Sequence, residues 1–327
     1  MVEVMKPMPN MEICDPACGT GGFFLAAYNY LSNPARFKLD KEKRKFLQQK
    51  AFHGWDIVDN VVRLCIMNLY LHGISGEEKP IKTADALSTH PGKYFDIVLT
   101  NPPFGKKSSI TVLNGDGKAG KETITYERAD FWASTSNKQL NFVQHVRSIL
   151  KQHGKAAMVV PDNVLFEGGA GETIRKNLLE QCDVHTLLRL PTGLFYAQGV
   201  KANVLFFDRK PASEKPWTEN LWIYDLRTNQ HFTLKENSLK YEDLTDFIEC
   251  FNPDNKNDRK ESERFRCFTY NDLMQRDKVN LDIFWLKDES LEDADNLPEP
   301  DILAAEIIVN LEAALLQFNS IYEELEK

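Results

Sequence analysis

The chain has 327 residues, 42% of them hydrophobic and 27% charged, with 40 Lys+Arg against 48 Asp+Glu. That length suggests about two domains with ample core, and the composition excludes disorder as the main state. A net charge of −8 argues against a simple nucleic-acid binder. With no apolar run of ~18 residues and no apolar signal core near the start, a cytoplasmic protein free of the membrane is expected.

Short β-branched apolar runs alternate with longer amphipathic stretches. Strands are predicted at 11–15, 51–56, 81–84, 95–100, 155–161, 184–190 and 203–208, and helices at 22–31, 58–72, 138–152 and 172–181. This alternation is that of an α/β protein with an open, mostly parallel sheet and helices on both faces. No helix-length pattern separates 184–190 from 203–208, so an antiparallel hairpin at a sheet edge is expected there. Residues 222–226 form a further candidate strand. Residues 105–133 hold four glycines and five Lys/Arg and read as a long loop. Residues 252–263 read as a polar surface loop. Pro298 and Pro300 precede a final helix.

The charge is unevenly placed. Residues 288–327 carry twelve acids and one base, a net of −11, which leaves the other 287 residues at +3. The acidity belongs to the tail, so nucleic acid returns as a candidate partner of the body. The six cysteines form no C-x-x-C pair, and Cys14 and Cys18 have no second Cys/His pair to complete a metal set. Reduced thiols and no metal site are expected.

The segment Ile13-Cys-Asp15-Pro-Ala17-Cys-Gly19-Thr-Gly21-Gly-Phe23 places an acid at a strand end, then a glycine turn, then a helix. Such a turn lets backbone N–H groups approach a ligand closely. The dinucleotide fingerprint G-x-G-x-x-G fails, because its third glycine position is Phe24. An acid at the strand end repels a pyrophosphate but suits a cationic amine, such as the methionine end of S-adenosylmethionine. Asp56 ends the second strand, where it suits a ribose diol. Asp85 follows the third strand, where it suits an adenine amino group. Each acid alone reads more readily as a strand-end or N-cap residue; three after three successive strands form the stronger pattern.

The run 95–100 is a buried parallel strand that Asn101-Pro102-Pro103-Phe104 stops at its C-terminal end, where open α/β sheets bind ligands. Two prolines fix φ and remove two donors, leaving a rigid turn that presents the Asn101 side-chain oxygen and the Pro102 carbonyl as acceptors. Acceptors gripping the hydrogens of an exocyclic amine would localise its delocalised lone pair and hold it beside a methyl donor. Phe104 can stack on a base that has left the duplex. Transfer to cytosine C5 needs a Pro-Cys nucleophile, and no Pro-Cys dipeptide occurs.

These motifs resemble the amino-group DNA methyltransferases and, more finely, the modification (M) subunit of type I restriction-modification systems. The finer match extends through Asn68-Leu-Tyr-Leu-His-Gly73 and the runs 154–166 and 190–207. The resemblance implies a Rossmann-like S-adenosylmethionine-dependent methyltransferase fold plus a C-terminal helical tail, with adenine N6 in double-stranded DNA as acceptor. By position, Asp15, Ala17, Gly19 and Gly21 would hold the methionine part of S-adenosylmethionine, Asp56 with Ile57 the ribose, and Asp85 with Ala86 the adenine. Asn101, Pro102, Pro103 and Phe104 would be catalytic, with Val164, Leu165 and Phe166 along the wall near the target base. The implied partners are a specificity subunit, a restriction subunit and a second M subunit.

M subunits carry a helical N-terminal domain and a Thr-Pro-Arg segment ahead of the glycine loop. Here Met1-Val-Glu-Val-Met-Lys6 looks like the end of that helix, so a truncated product with weakened cofactor binding and little activity alone is expected. Lys106, Lys107, Lys118, Lys121 and Arg128 are candidates for phosphate contacts, or for a solvated loop. In the tail, Ala304, Ile308, Leu311, Leu315, Phe318, Tyr322 and Leu325 recur at spacings of four and three. That stripe suits packing on its own domain or docking to the specificity subunit through residues 301–327. The expected division is a catalytic domain at 1–233, a partly irregular extension at 234–300 and an amphipathic helix at 301–327. Asn-Pro-Pro-aromatic turns also serve RNA-base and protein-glutamine methylation, and a silent assembly module is a further alternative.

Overall fold

The computed structural model describes residues 1–75, 80–105, 125–195, 201–230, 232 and 237–287, and the backbone alone of 109–113 and 119–123. The predicted tail helix, and the side chains of Lys106, Lys107, Lys118 and Lys121, lie outside these residues.

The chain runs through α1 (Val2–Met5), β1 (Ile13–Asp15), α2 (Gly22–Ser32), α3 (Lys41–Gln49), β2 (Phe52–Asp56), α4 (Asp59–Leu71), β3 (Ile81–Thr83) and β4 (Phe95–Thr100). The pair β5 (Ser109–Leu113) and β6 (Ala119–Thr123) follows, then α5 (Lys138–Ile149), β7 (Leu150–Pro161), α6 (Asp162–Phe166), α7 (Ala170–Gln181) and β8 (Cys182–Arg189). The last elements are β9 (Ala202–Arg209), β10 (Asn220–Asp225), α8 (Thr245–Phe251), β11 (Phe265–Thr269) and α9 (Tyr270–Met274). Nine strands form one sheet in the order β11-β10-β8-β9-β7-β4-β1-β2-β3. From β3 to β7 every pairing is parallel, as is β8 with β10, while β9 runs antiparallel to both its neighbours and β11 antiparallel to β10.

The alternation of strand and helix thus predicts the parallel half correctly, and four of the departures from expectation have a clear physical reason. The antiparallel pair does form, with Leu187 opposite Leu205, but it does not lie at an edge. β9 is inserted between β7 and β8, and β10 and β11 extend the sheet beyond. The physical reason is in its composition: from Ala202 to Asp208 every residue is buried, and a strand apolar on both faces belongs inside a sheet. Second, the long loop at 105–133 contains the hairpin β5–β6. Its β-branched run Ser-Ile-Thr-Val-Leu is a strand signal that the surrounding glycines masked. Third, α5 stops at Ile149 rather than residue 152, because Leu150 already pairs with Phe95 as the start of β7. Fourth, α3 is a helix that no predicted element covers; its Asp40 cap accepts from the Lys43 N–H at 2.8 Å.

Period-two alternation divides the core between the sheet faces. Ile97, Leu99, Ala157 and Val159 join one apolar cluster with Phe24 and Leu31 of α2 and Phe247 and Phe251 of α8. Val98, Ala156 and Met158, between them in sequence, are buried outside that cluster, on the side where α5 and α7 pack on β7 and β8. At the C-terminal strand ends a buried charge network ties the right half together. Arg189 meets Asp225 at 3.1 Å and Asp282 at 3.3 Å, and Arg227 holds Asp162 at 2.8 and 2.9 Å. Such pairs contribute little net stability, but removing one partner strands a buried charge. Met1–Phe284 forms one compact unit and Trp285–Lys327 a second. Among the described residues no helix is long and apolar enough to cross a membrane.

Candidate active site

The carboxyl ends of β1, β2, β3 and β4 lie side by side, so the loops that follow them share one end of the sheet. Asp15 ends β1 and is only 2% exposed. Its Oδ1 accepts from the Thr100 hydroxyl at 2.7 Å and from the Ala17 N–H at 3.0 Å. Burial, aided by the nearby Asp56 charge, pushes the Asp15 carboxyl up to about 7 against those two donors. Both described hydrogen bonds land on one oxygen, Oδ1.

The two turn glycines have different reasons to be glycine. Gly19 has φ +54°, and a Cβ there would meet nothing within 4 Å. Gly21, at φ +85°, caps α2, and a Cβ there would lie 2.9 Å from the buried Cys65 Sγ. Gly21→Ala should therefore destabilise the fold by roughly 2–4 kcal/mol, and Gly19→Ala by only about 1–2 kcal/mol. Urea midpoints of the two variants check this ordering.

Asp56 ends β2 and reaches back to the glycine loop. Its Oδ2 accepts from the Gly19 N–H at 3.2 Å and its Oδ1 from the Val58 N–H at 2.9 Å. Ile57 beside it is 64% exposed, an apolar surface at the rim of the site. Asp85 follows β3. Its Oδ1 accepts from the Leu87 N–H at 2.9 Å and its Oδ2 from the Tyr126 hydroxyl at 2.7 Å. Two residues further on, Arg128 donates to the carbonyls of Ala86 and Leu87 and is held by both oxygens of Asp130. Its Nη1 also lies 3.0 Å from His145 Nδ1. Burial, with the Arg128 charge second, lowers the His145 imidazole to about 3, so near neutral pH it is neutral and can accept that N–H.

Asn101 follows β4 directly. Its side chain is exposed and has no hydrogen-bond partner among the described residues. Pro102 is buried, Pro103 exposed and Phe104 partly buried. The Phe104 ring meets Phe195 edge-on with centroids 5.1 Å apart. Because Thr100 immediately precedes Asn101 and donates to Asp15, the turn and the buried carboxylate are fixed to one another.

A cleft of about 360 Å³ brings these parts together. Ala17, Gly19, Asp56, Ile57, Asp85, Ala86, Asn101 and Pro103 all line it. Asp15, Gly21, Pro102 and Phe104 are not among its lining residues, nor are Val164, Leu165 and Phe166. Seven lining residues escaped sequence reasoning: Pro16, Val58, Ala84, Leu87, Tyr126, Lys138 and Phe142. Lys138 and Phe142 lie one turn apart on α5, an i, i+4 pair readable from the helix pattern. Tyr126 had no local signal.

The open α/β sheet thus carries three acids at or just after successive strands and an Asn-Pro-Pro-Phe turn at one end, with Asp56, Asp85, Asn101 and Pro103 on one cleft. The chain belongs to the N-6 DNA methylase family, whose model matches residues 1–286. It is 36% identical to the type I restriction enzyme StySPI methylase subunit of Salmonella potsdam and 36% identical to the EcoKI methylase subunit of Escherichia coli K12. Each alignment covers 99% of this chain and 66% of the relative, so the chain spans just under two thirds of their length. The crystal structure of the type I restriction enzyme EcoKI M protein superposes with a TM-score of 0.77 at 35% identity, covering 100% of this chain and 71% of that one.

Proposed function

We propose that the chain carries the adenine-N6 DNA methyltransferase activity of a type I modification subunit, with S-adenosylmethionine as donor and a flipped adenine of double-stranded DNA as acceptor. The observation that supports this most is the position of Asn101: an unencumbered acceptor at the end of β4, on the cleft that Asp56 and Asp85 also line. The residues fit the cofactor chemically. The cleft lies in the size range of small-molecule sites, mixes apolar walls with a few polar groups, and offers the Asp56 and Asp85 carboxylates to a diol and an exocyclic amino group, with Asp15 behind Ala17 at the end of β1.

When bound, S-adenosylmethionine supplies a methyl group activated by its sulfonium. Asp15 Oδ2 would take the methionine amine, and ionisation of Asp15 would be favoured by that cation. Asp56 would accept from the ribose hydroxyls and Asp85 from the adenine amino group. Asn101 Oδ1 and the Pro102 carbonyl would accept the two N6 hydrogens of the target base and turn the nitrogen lone pair toward the methyl group. Transfer would form the N–C bond in exchange for the cofactor's S–C bond. The nitrogen becomes acidic only afterwards and loses its proton toward solvent, so no general base is required before attack. Phe104 would stack on the base.

The name "methylase subunit" of the relatives supports assembly with other chains. The partners proposed are a specificity subunit docked on residues 301–327, a second M subunit and, in the full complex, a restriction subunit, all in the cytoplasm. Labelled methyl transfer to unmethylated duplex DNA tests the reading. Label is expected when the specificity subunit is present, and removal of residues 301–327 should abolish it by abolishing co-purification. Transfer to RNA or protein but not DNA would overturn the assignment.

A further inference from the structure

Asp85 can discriminate an amino group only if its carboxylate plane is fixed, because a carboxylate carries about four acceptor positions and rotates on a short stalk. The Leu87 N–H engages Oδ1. The second constraint comes from a residue 41 positions later in the chain: the Tyr126 hydroxyl donates to Oδ2 at 2.7 Å. Tyr126 is 9% exposed and lines the same cleft as Asp85.

The segment that carries Tyr126 is itself anchored. Tyr126 forms an antiparallel bridge with Thr135. Arg128 donates to the carbonyls of Ala86 and Leu87, pairs with both oxygens of Asp130, and lies 4.2 Å from the Phe131 ring centroid. Residues 126–131 therefore form a strap that holds the Asp85–Leu87 turn through one side-chain and two backbone acceptors. This strap joins the β5–β6 hairpin, and the hairpin follows the Asn101–Phe104 turn.

We propose that Tyr126 is a positioning residue of the cofactor site: it orients the Asp85 carboxylate so that the site selects a cofactor bearing a 6-amino purine. This rests on the cofactor reading above. Tyr126 does not touch the transferred methyl group, and it acts through Asp85. Its hydroxyl is one charge-assisted hydrogen bond, so its loss should weaken recognition of the amino group by about tenfold.

The test is calorimetry on the full chain and on Tyr126→Phe, each titrated with S-adenosylmethionine and with its analogue lacking the purine 6-amino group. Tyr126→Phe should weaken S-adenosylmethionine about tenfold and the analogue less than about twofold, collapsing the preference between them. Loss of fold would weaken both ligands alike, so the ratio separates positioning from stability. An unchanged ratio, in a variant that still binds, overturns the assignment of Tyr126 alone. Failure of the unsubstituted chain to bind S-adenosylmethionine, while the analogue also fails, overturns the cofactor reading and this inference with it.

Discussion

Replacing Asn101 with alanine is expected to lower methyl transfer by at least about a hundredfold, while cofactor affinity changes less than about twofold. The asymmetry follows from what the side chain touches. Asn101 is exposed and has no hydrogen-bond partner among the described residues, so its removal breaks no described contact of the fold. The Asp15, Asp56 and Asp85 carboxylates keep their own donors, none of which is Asn101. On the proposed mechanism, what is lost is an acceptor for hydrogens whose acidity rises in the transition state. Removing one such preorganised group typically raises a barrier by about 3–4 kcal/mol. Asn101→Asp keeps an oxygen at the same position and should retain more activity than Asn101→Ala. Single-turnover transfer rates, measured with saturating cofactor and DNA, check both orderings. Equal rates for the alanine variant and the parent would remove Asn101 from the chemistry.

Asp15→Asn carries the second large effect, and it has opposite signs for binding and stability. The folded carboxyl sits at about 7 against an ordinary value of 3.8, because burial disfavours its charge. Between those two values the folded chain keeps a proton that the unfolded chain has released. Stability therefore falls as pH rises through that window, and the full penalty applies above pH 7. The shift corresponds to at most about 4 kcal/mol. Asparagine is nearly isosteric, still accepts from Thr100 and Ala17, and cannot ionise. The variant should melt higher than the parent at pH 8 and close to it at pH 4. Cofactor affinity should move the other way. A buried unpaired cation is costly, so loss of the carboxylate should weaken binding by about a hundredfold. In the parent, affinity should rise as pH rises through 7, and in Asp15→Asn it should be nearly flat. A parent whose affinity does not change between pH 6 and 8 would show that Asp15 does not hold the methionine amine.

The positions that sequence reasoning reaches are those where local chemistry is self-sufficient. Asn101-Pro-Pro-Phe104 dictates its own turn, and an acid followed by Gly19 and Gly21 dictates a strand-to-helix loop, whatever surrounds them. The same local logic places Asp56 at a strand end and Asp85 just after one, and all three loops open at one end of the sheet because β3, β2, β1 and β4 are parallel neighbours. What escaped depends on contacts distant in sequence. The insertion of β9 between β7 and β8 is decided by burial on both faces, not by the loop that joins the pair. Tyr126 meets Asp85 only because residues 126–135 fold back over the third strand's loop. The glycine-rich stretch around β5 and β6 hid both the hairpin and the strap behind it. Gly21 was legible as a glycine position, but its packing against Cys65 of α4 is a tertiary contact.

The most direct test of the central claim is the identity of the methylated product. The full chain with a specificity subunit, labelled S-adenosylmethionine and unmethylated duplex DNA should give DNA that, digested to nucleosides, carries its label in N6-methyl-2′-deoxyadenosine, and Asn101→Ala should reduce that label in parallel with the rate. Label in a methylated cytosine, or in protein with none in DNA, would contradict the account.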